Sequence, residues 1–306
     1  MNARQIEVFR TIMRLGTLTG AAQALNVSQP ALSQLLLHAE DRLGYKLFRR
    51  LRGRLVPTPE AQLLFPEAER LHRDIEGFRR FAEGLREGEG GSVRLAASAP
   101  PSLSFLPQAL MAFRAGLPGV HLSAFVVPHQ IAMDMLGRGD ADLGVTLSDK
   151  ATPLVQAETI GQAELVCLLP SRHRLARRKA LGPEDLVEET LISYRKDSLP
   201  GQLLDQEFAR AGIPFRPQVE IDVSIIALSF VQQGIGVAVV DGLIPWLAHP
   251  GLVVRPFRPL VRLPIAVLCG TRRPLSLQQE RLRAGLRDAF GAYAADPVSR
   301  GLLTPA

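Results

Sequence analysis

Residues 18–54, LTGAAQALNVSQPALSQLLLHAEDRLGYKLFRRLRGR, combine helix-turn-helix spacing with a dense run of positive charge. Thr17 to Thr19 offer a cap for a short helix, the small pair Ala21 and Ala22 allows a neighbour to approach closely, and Asn26 closes it. Ser28 caps a further helix predicted to start at Pro30, where a missing N–H costs nothing. The spacing predicts that this helix buries Ala31, Leu32, Leu35 and Leu36 and exposes Gln29, Ser33, Gln34 and His38. Upstream, Ile6, Phe9, Ile12, Met13 and Leu15 repeat at helical spacing from Ala3 to a stop at Gly16. Downstream of Gly44, the run KLFRRLRGRLVPTP reads as a basic β-hairpin turning at Gly53.

Residues 1–58 carry nine Arg or Lys against three Asp or Glu, and the rest of the chain is balanced, so the formal net charge of +6 comes from the N-terminal fifth. A neutral body with a basic head suits a polyanion partner at one end. Short polar side chains at the start of the second helix of such a motif meet base edges in the major groove, while the hairpin arginines track phosphates. The candidate DNA contacts are Thr19, Ser28, Gln29, Pro30, Ser33 and Gln34 from the helices, and Arg49, Arg50, Arg52, Arg54 and Thr58 from the hairpin.

In Phe9, Gly16, Ala21-Ala22, Val27-Ser28-Gln29-Pro30-Ala31-Leu32-Ser33, Glu40, Leu43-Gly44, Leu47-Phe48, Arg50 and Pro57-Thr58 the head resembles the LysR-type transcriptional regulators. One departure is Gln34, where that family often has Arg. Gln pairs bidentately with adenine and Arg with guanine, so the change predicts a shifted base preference.

Ala61, Leu64, Ala68, Leu71, Ile75, Phe78, Ala82 and Leu85 alternate spacings of three and four without a slip, the seam of a coiled coil along which two chains are expected to pair. Pro66 falls off the seam, and the charges of Glu67, Arg70, Arg73, Asp74, Arg79 and Arg80 cover the other faces. The EGEGG run, residues 87–91, breaks the helix and forms a hinge.

From Ser92 the pattern changes to strands alternating with helices, which implies an α/β body with a mostly parallel sheet. Strands are expected at Val93 to Ala97, His121 to Val127, Asp142 to Leu147, Glu164 to Leu169, Leu191 to Tyr194, Gln218 to Val223, Gly236 to Val240 and Ile265 to Cys269. Helices are expected at Ser102 to Arg114, Ile131 to Gly137, Gln202 to Ala211, Ile225 to Gln233 and Leu277 to Ala294. The expected organisation is a winged helix-turn-helix domain over 1–58, a dimerising linker helix over 59–87, a hinge over 88–91 and an effector-binding domain over 92–306. Its first lobe spans about 92–161 and 269–306, and its second about 162–268.

The stretches ELVCLLPSRHRLARRKALGPEDLVEETLI and LSFVQQGIGVAVVDG extend the resemblance through this half, and residues 224–242 are similar to regulators of opine and basic amino-acid catabolism. The resemblance implies a two-lobed effector domain like a periplasmic binding protein, with an inducer in the cleft. It also implies a homodimer through the linker, a homotetramer that bends DNA, and an inducer-driven change that exposes a surface to RNA polymerase.

Ligands of such sheets bind where strands end, here between the lobes. Ser98, Ala99, Pro100, Pro101 and Ser102 follow the first strand and open a helix, and Ser224 and Ile225 present a second helix start. Two helix N-termini facing one cleft would hold an anion, most simply a carboxylate. Each serine is equally well read as an ordinary helix cap. Thr146, Ser148, Pro128 and Gln130 lie beside them, Tyr194 would offer an aromatic face, and Asp241 would suit a ligand ammonium or guanidinium.

Gly234-Ile235-Gly236 lacks a third glycine and precedes a strand, so it does not read as a dinucleotide fingerprint. The six histidines show neither metal-ligand spacing nor a nucleophile signature, and no cofactor, metal or catalytic constellation is expected. Cys167 and Cys269 each lie in an apolar strand, as reduced core thiols do. No N-terminal run reads as a signal peptide or membrane span, which predicts a cytoplasmic protein. The sequence therefore predicts an effector-controlled, sequence-specific DNA-binding regulator and not an enzyme. The alternatives are a redox-responsive or a ligand-independent architectural DNA-binding protein.

Overall fold

A computed structural model of the chain describes residues 1–51, 54–86, 91–299 and 301–306, which divide into two units, 1–83 and 84–306. Arg52, Gly53 and the expected hinge at 88–90 lie outside the described residues, as do the side chains of Arg54, Arg73, Arg80, Ala82 and Leu85.

The first unit begins with α1 (Ala3–Leu15), opened by a reciprocal cap in which Asn2 and Gln5 each accept the other's backbone N–H at 2.9 Å. Gly16, at φ 70°, closes it. Thr17 Oγ1 accepts the Gly20 N–H at the start of α2 (Leu18–Ala24), and Ser28 caps α3 (Gln29–Leu43). Pro30 is the second rather than the first helical residue, since Gln29 already has helical geometry. The hairpin is β1 (Phe48–Leu51) antiparallel to β2 (Arg54–Pro57), with Arg50 opposite Leu55. Phe9, Ile12, Ala21, Leu32, Leu36 and Leu47 form the core. Ala31 was expected there and is exposed, because it sits in the first turn on the solvent side of α3.

The long helix α4 (Pro59–Arg86) divides its apolar seam between two tasks. Ala61 and Ala68 are buried in the head's own core, with Leu64 packed beside them. Glu69 fixes this contact by a bidentate pair with Arg14, at 2.7 and 2.9 Å. Leu71 and Phe78, further along the same seam, are 43% and 65% exposed. The expectation that the whole seam faces a second chain therefore fails for its first three positions, which α1 and its neighbours already cover.

The second unit begins with β3 (Gly91–Ala97), α5 (Ala99–Ser102), α6 (Leu106–Gly116), β4 (Val120–Val126), α7 (His129–Arg138) and β5 (Leu143–Thr146). The strand β6 (Val155–Pro170) leads to α8 (Pro183–Leu186), β7 (Leu191–Tyr194), α9 (Leu199–Arg210), β8 (Val219–Ile221), α10 (Ile226–Gln232) and β9 (Val237–Asp241). The chain finishes with β10 (Leu252–Pro256), β11 (Arg262–Gly270), α11 (Leu277–Ala295) and β12 (Leu303–Pro305).

These strands run in the order β4-β3-β5-β11-β6-β9-β7-β8, with β10 and β12 also paired to β6. The sheet is mixed rather than mostly parallel. Pairing is parallel inside each βαβ unit, and every contact of β6 and of β11 is antiparallel. Val93, Leu95, Phe105, Leu143 and Phe290 pack one lobe, and Leu165 to Leu169, Val237 to Val240, Phe208 and Trp246 the other. β6 starts at Val155, well before the expected Glu164, because Thr159, Gly161 and Gln162 interrupt its apolar run. The single helix expected at Ser102 to Arg114 is split into α5 and α6. Pro107 cannot donate an N–H to an earlier turn, so it sits near a fresh helix start instead.

The Gly-Ile-Gly run has a backbone explanation. Gly234, at φ 74°, follows the end of α10, and a Cβ at Gly236 would stand 1.9 Å from the Thr190 carbonyl oxygen.

Candidate functional sites

At the head, α2 and α3 are joined by residues 25–28, where Asn26 takes φ 51° and the Val27 N–H returns to the Ala22 carbonyl. This turn presents the start of α3 outward: Gln29, Pro30, Gln34 and His38 are exposed, and Ser33 is half-buried. The Ser28 hydroxyl is committed to its cap, accepting the Ala31 N–H at 3.4 Å. Thr19 on α2 and Arg49 and Arg50 on β1 are exposed. The buried carboxylate of Glu40 ties α3 to the hairpin by accepting the Leu47 N–H at 2.8 Å and pairing with Lys46 at 2.8 Å. The result is a convex helix end beside a basic ribbon, which is what a groove and its phosphates require.

In the second unit a cavity of about 740 Å³ opens between the two lobes. One lobe supplies Ser98, Ala99 and Pro100 after β3, Pro128, His129 and Gln130 at the start of α7, and Ser148 and Lys150 after β5. The other supplies Tyr194 from β7, Asp197 to Pro200 at the start of α9, and Asp222 to Ser224 after β8. Val126, Val127, Met133, Leu147 and Leu199 make much of the wall apolar.

Two buried hydroxyl oxygens in this wall, Ser98 Oγ and Ser224 Oγ, have no hydrogen-bond partner. Ser98 precedes α5 but makes no side-chain cap, so the helix-cap reading does not account for its hydroxyl. Ser224 lies near enough to Tyr194 and Asp241 to favour their ionised forms, without hydrogen-bond geometry to either. Unpaired buried hydroxyls lining a cavity are groups a ligand can satisfy.

His129 is half-buried, and its Nδ1 lies 3.1 Å from Thr146 Oγ1. Burial, with the charge of Lys150, pulls its pKa below the ordinary imidazole value. Tyr194 donates its hydroxyl to Asp241 at 2.8 Å, and burial pushes the pKa values of both groups up. Asp197 pairs with Arg195 at 2.5 Å at the exposed rim, and Asp222 lies 3.8 Å from the same guanidinium.

Two family models divide the chain along these lines. A lysR-family bacterial regulatory helix-turn-helix model matches residues 3–62, and the LysR substrate binding domain model matches residues 86–291. The chain belongs to the LysR family. This LysR-family chain is a DNA-binding transcriptional regulator with an effector domain that takes a small molecule. It is 31% identical over 300 residues to the regulatory protein NocR of Agrobacterium fabrum, covering 97% of this chain and 100% of that one. It is 35% identical over 291 residues to the transcriptional activator protein LysR of Escherichia coli strain K12, covering 94% of each. Both relatives are regulators. In fold, the regulator is similar to full-length CbnR complexed with its target DNA, at a TM-score of 0.71, 20% identity, and coverage of 94% of this chain and 100% of that one.

Of the effector candidates read from sequence, the LysR-family cavity gathers Ser98, Ala99, Pro100, Pro128, Gln130, Ser148, Tyr194 and Ser224. Ser102, Thr146, Ile225 and Asp241 do not line it. Ser102 donates its hydroxyl to the Ser98 carbonyl, and Thr146 stands behind His129. Asp241 is fully buried, with its carboxylate accepting the Tyr194 hydroxyl and the Leu243 and Ile244 N–H groups. It cannot meet a ligand ammonium directly; the carboxylates at the cavity are Asp197 and Asp222.

The expected helix-dipole site also changes. α5 has four residues, two of them prolines without an N–H, and the Ser98 N–H is donated to the Val145 carbonyl. α10 has seven, and the N–H groups of Ile226 and Ala227 already reach Val223 and Ser224 carbonyls. The longer helices starting at the cavity are α7 and α9, of ten and twelve residues. At the head, Thr58 is buried, donating to the Lys46 carbonyl and accepting the Ala61 N–H at the start of α4, so it caps that helix instead of facing outward. Thr before Pro59 was a legible cap signal. His129, Lys150, Asp197 and Asp222 carried no local signal, because chain topology alone brings them together.

Among the described residues, no three His, Cys, Asp or Glu side chains are grouped to hold a metal ion, and no helix is long and apolar enough to cross a membrane. Burial raises the pKa of both the Cys167 and Cys269 thiols.

Proposed function

We propose that this LysR-family regulator is a cytoplasmic sensor of a small carboxylate, amino-acid-like in character, bound between its two lobes. The observation that carries this reading is the pair of unpartnered hydroxyls, Ser98 from one lobe and Ser224 from the other, in one cavity. A ligand joining them links the lobes, and its differential affinity for two lobe arrangements supplies the switching free energy. His129 and Lys150 on one wall suit a carboxylate, and Asp197 and Asp222 on the other suit an ammonium.

In this reading residues 1–58 bind double-stranded DNA. Gln29, Ser33 and Gln34, flanked by Thr19, Ser28 and Pro30, read bases, and Arg49, Arg50, Arg52 and Arg54 hold phosphates. The helix Pro59–Arg86 pairs two chains through the exposed part of its seam, residues 92–306 take the effector, and two dimers form a tetramer. Effector binding alters DNA bending and presents a surface to RNA polymerase. Raised thiol pKa values weigh against the redox alternative, because the thiolate is the reactive form.

Thermal unfolding of the purified full-length protein with valerate, succinate, L-glutamate, L-arginine and opines tests the sensor. A ligand at 100 times its Kd stabilises the native state by about 2.7 kcal/mol. Stabilisation that disappears in Ser98→Ala and Ser224→Ala supports the cleft. Stabilisation by none of the panel removes the carboxylate reading and favours a ligand-independent architectural role.

A further inference from the structure

Thr146 Oγ1 has one hydrogen and two short polar neighbours, the Ser148 carbonyl at 3.0 Å and His129 Nδ1 at 3.1 Å. The carbonyl can only accept, so the threonine hydrogen goes to it and the threonine oxygen accepts from the ring. His129 Nδ1 therefore carries the proton. In the neutral ring Nε2 is then a bare acceptor, on a side chain that lines the cavity. A bare lone pair repels a carboxylate, whereas a protonated Nε2 donates to it with charge assistance.

We propose that His129 is the proton-linked specificity residue of the cleft: an anionic effector binds with uptake of one proton from solvent onto Nε2, so the cleft selects carboxylates and tightens on them as pH falls. This rests on the cleft being the effector site. The groups around the ring set the direction. Burial among apolar walls opposes a positive charge on the ring, and Lys150, after β5, acts the same way. An anion placed between Lys150 and Nε2 neutralises the lysine charge and gives the buried imidazolium a counter-charge that offsets its desolvation. On the facing lobe, Asp197 and Asp222 are held by Arg195 at the rim, and Tyr194 keeps its hydroxyl on buried Asp241. The first turn of α7 itself adds only Gln130, Ile131 and Ala132, none of which titrates.

The test is calorimetric titration of the full-length protein with each carboxylate that raises its melting temperature among valerate, succinate, L-glutamate and L-arginine. It is run at pH 6 to 8 in two buffers of different ionisation enthalpy, which counts protons taken up per molecule bound. Uptake approaching one proton and an affinity that rises with falling pH, by at most tenfold per unit, are expected. His129→Asn keeps a donor for Thr146 and cannot titrate, so it should abolish both effects. The imidazole ¹⁵N shifts of His129 in the empty protein should report the Nδ1–H tautomer. An Nε2–H tautomer, or carboxylate binding without proton uptake and with the same pH dependence in His129→Asn, overturns the proposal and leaves the cleft reading intact. Stabilisation by no carboxylate overturns both.

Discussion

Tyr194 and Asp241, at the ends of neighbouring parallel strands, hydrogen-bond each other twice: the Tyr194 hydroxyl donates to the Asp241 carboxylate at 2.8 Å and accepts the Asp241 N–H at 3.1 Å. The pair forms the buried floor on which one wall of the cavity stands. Tyr194→Phe removes one hydroxyl and should cost about 1–3 kcal/mol in urea unfolding. Asp241→Ala also strands the Leu243 and Ile244 N–H groups and should cost more.

The same carboxyl gives a pH signature. Burial holds the Asp241 pKa above its ordinary value in the folded chain, against the hydrogen bonds that lower it. The folded state then binds the proton more tightly than the unfolded state, so this group subtracts stability as pH rises from the ordinary carboxylate value through the raised one. Urea unfolding from pH 4 to 7 should show wild type losing stability relative to Asp241→Asn as pH rises. A constant difference between the two proteins contradicts the assignment.

Gln34 should set one base of each half-site. Selection from random duplexes with Gln34→Arg is expected to change a preferred adenine to guanine, a discrimination worth about 1–3 kcal/mol. Arg50→Ala, on the hairpin, should weaken binding to all sequences alike and flatten the logarithmic salt slope by about 0.9. An unchanged selected site in Gln34→Arg means that this side chain does not read a base.

The exposed seam of the long helix makes a separable prediction. Leu71→Glu with Phe78→Glu should lower the assembly state in sedimentation equilibrium, by breaking the proposed pairing along this seam, while leaving the head folded, because the core residues Ala61 and Ala68 are untouched. Ala68→Glu, by contrast, should unfold the head.

Gly236→Ala should destabilise the effector domain by about 1–3 kcal/mol, since its Cβ would collide with the rigid Thr190 carbonyl at 1.9 Å. Gly285→Ala, on α11 with no atom within 4 Å of the added carbon, is the control and should be tolerated. Equal stability of the two variants contradicts the close-approach account.

The head was the most legible part of the chain because its signals are local. Caps at Thr17 and Ser28, the stop at Gly16, and apolar spacing in α1 and α3 each act over a few residues. The cleft was legible only where it is built from strand ends, as at Ser98, Ser148 and Tyr194. Asp241 misled because a carboxylate ending the apolar run VAVVD reads as exposed, and only the folded partners Tyr194, Leu243 and Ile244 explain its burial. β10 and β12 escaped notice for a related reason: each is short, and each is defined by pairing with the distant β6.

β6 and β11 run from the core of one lobe into that of the other, with Ile160 left unopposed where their register shifts between Ile265 and Ala266. Two paired ribbons joined edge to edge behave as a leaf spring. The unopposed residue bends the ribbon and increases its twist at that step, so a change of angle between the lobes would be concentrated there. Closing on a guest would therefore have few degrees of freedom, and molecules of different shape would produce graded amounts of one movement rather than different movements.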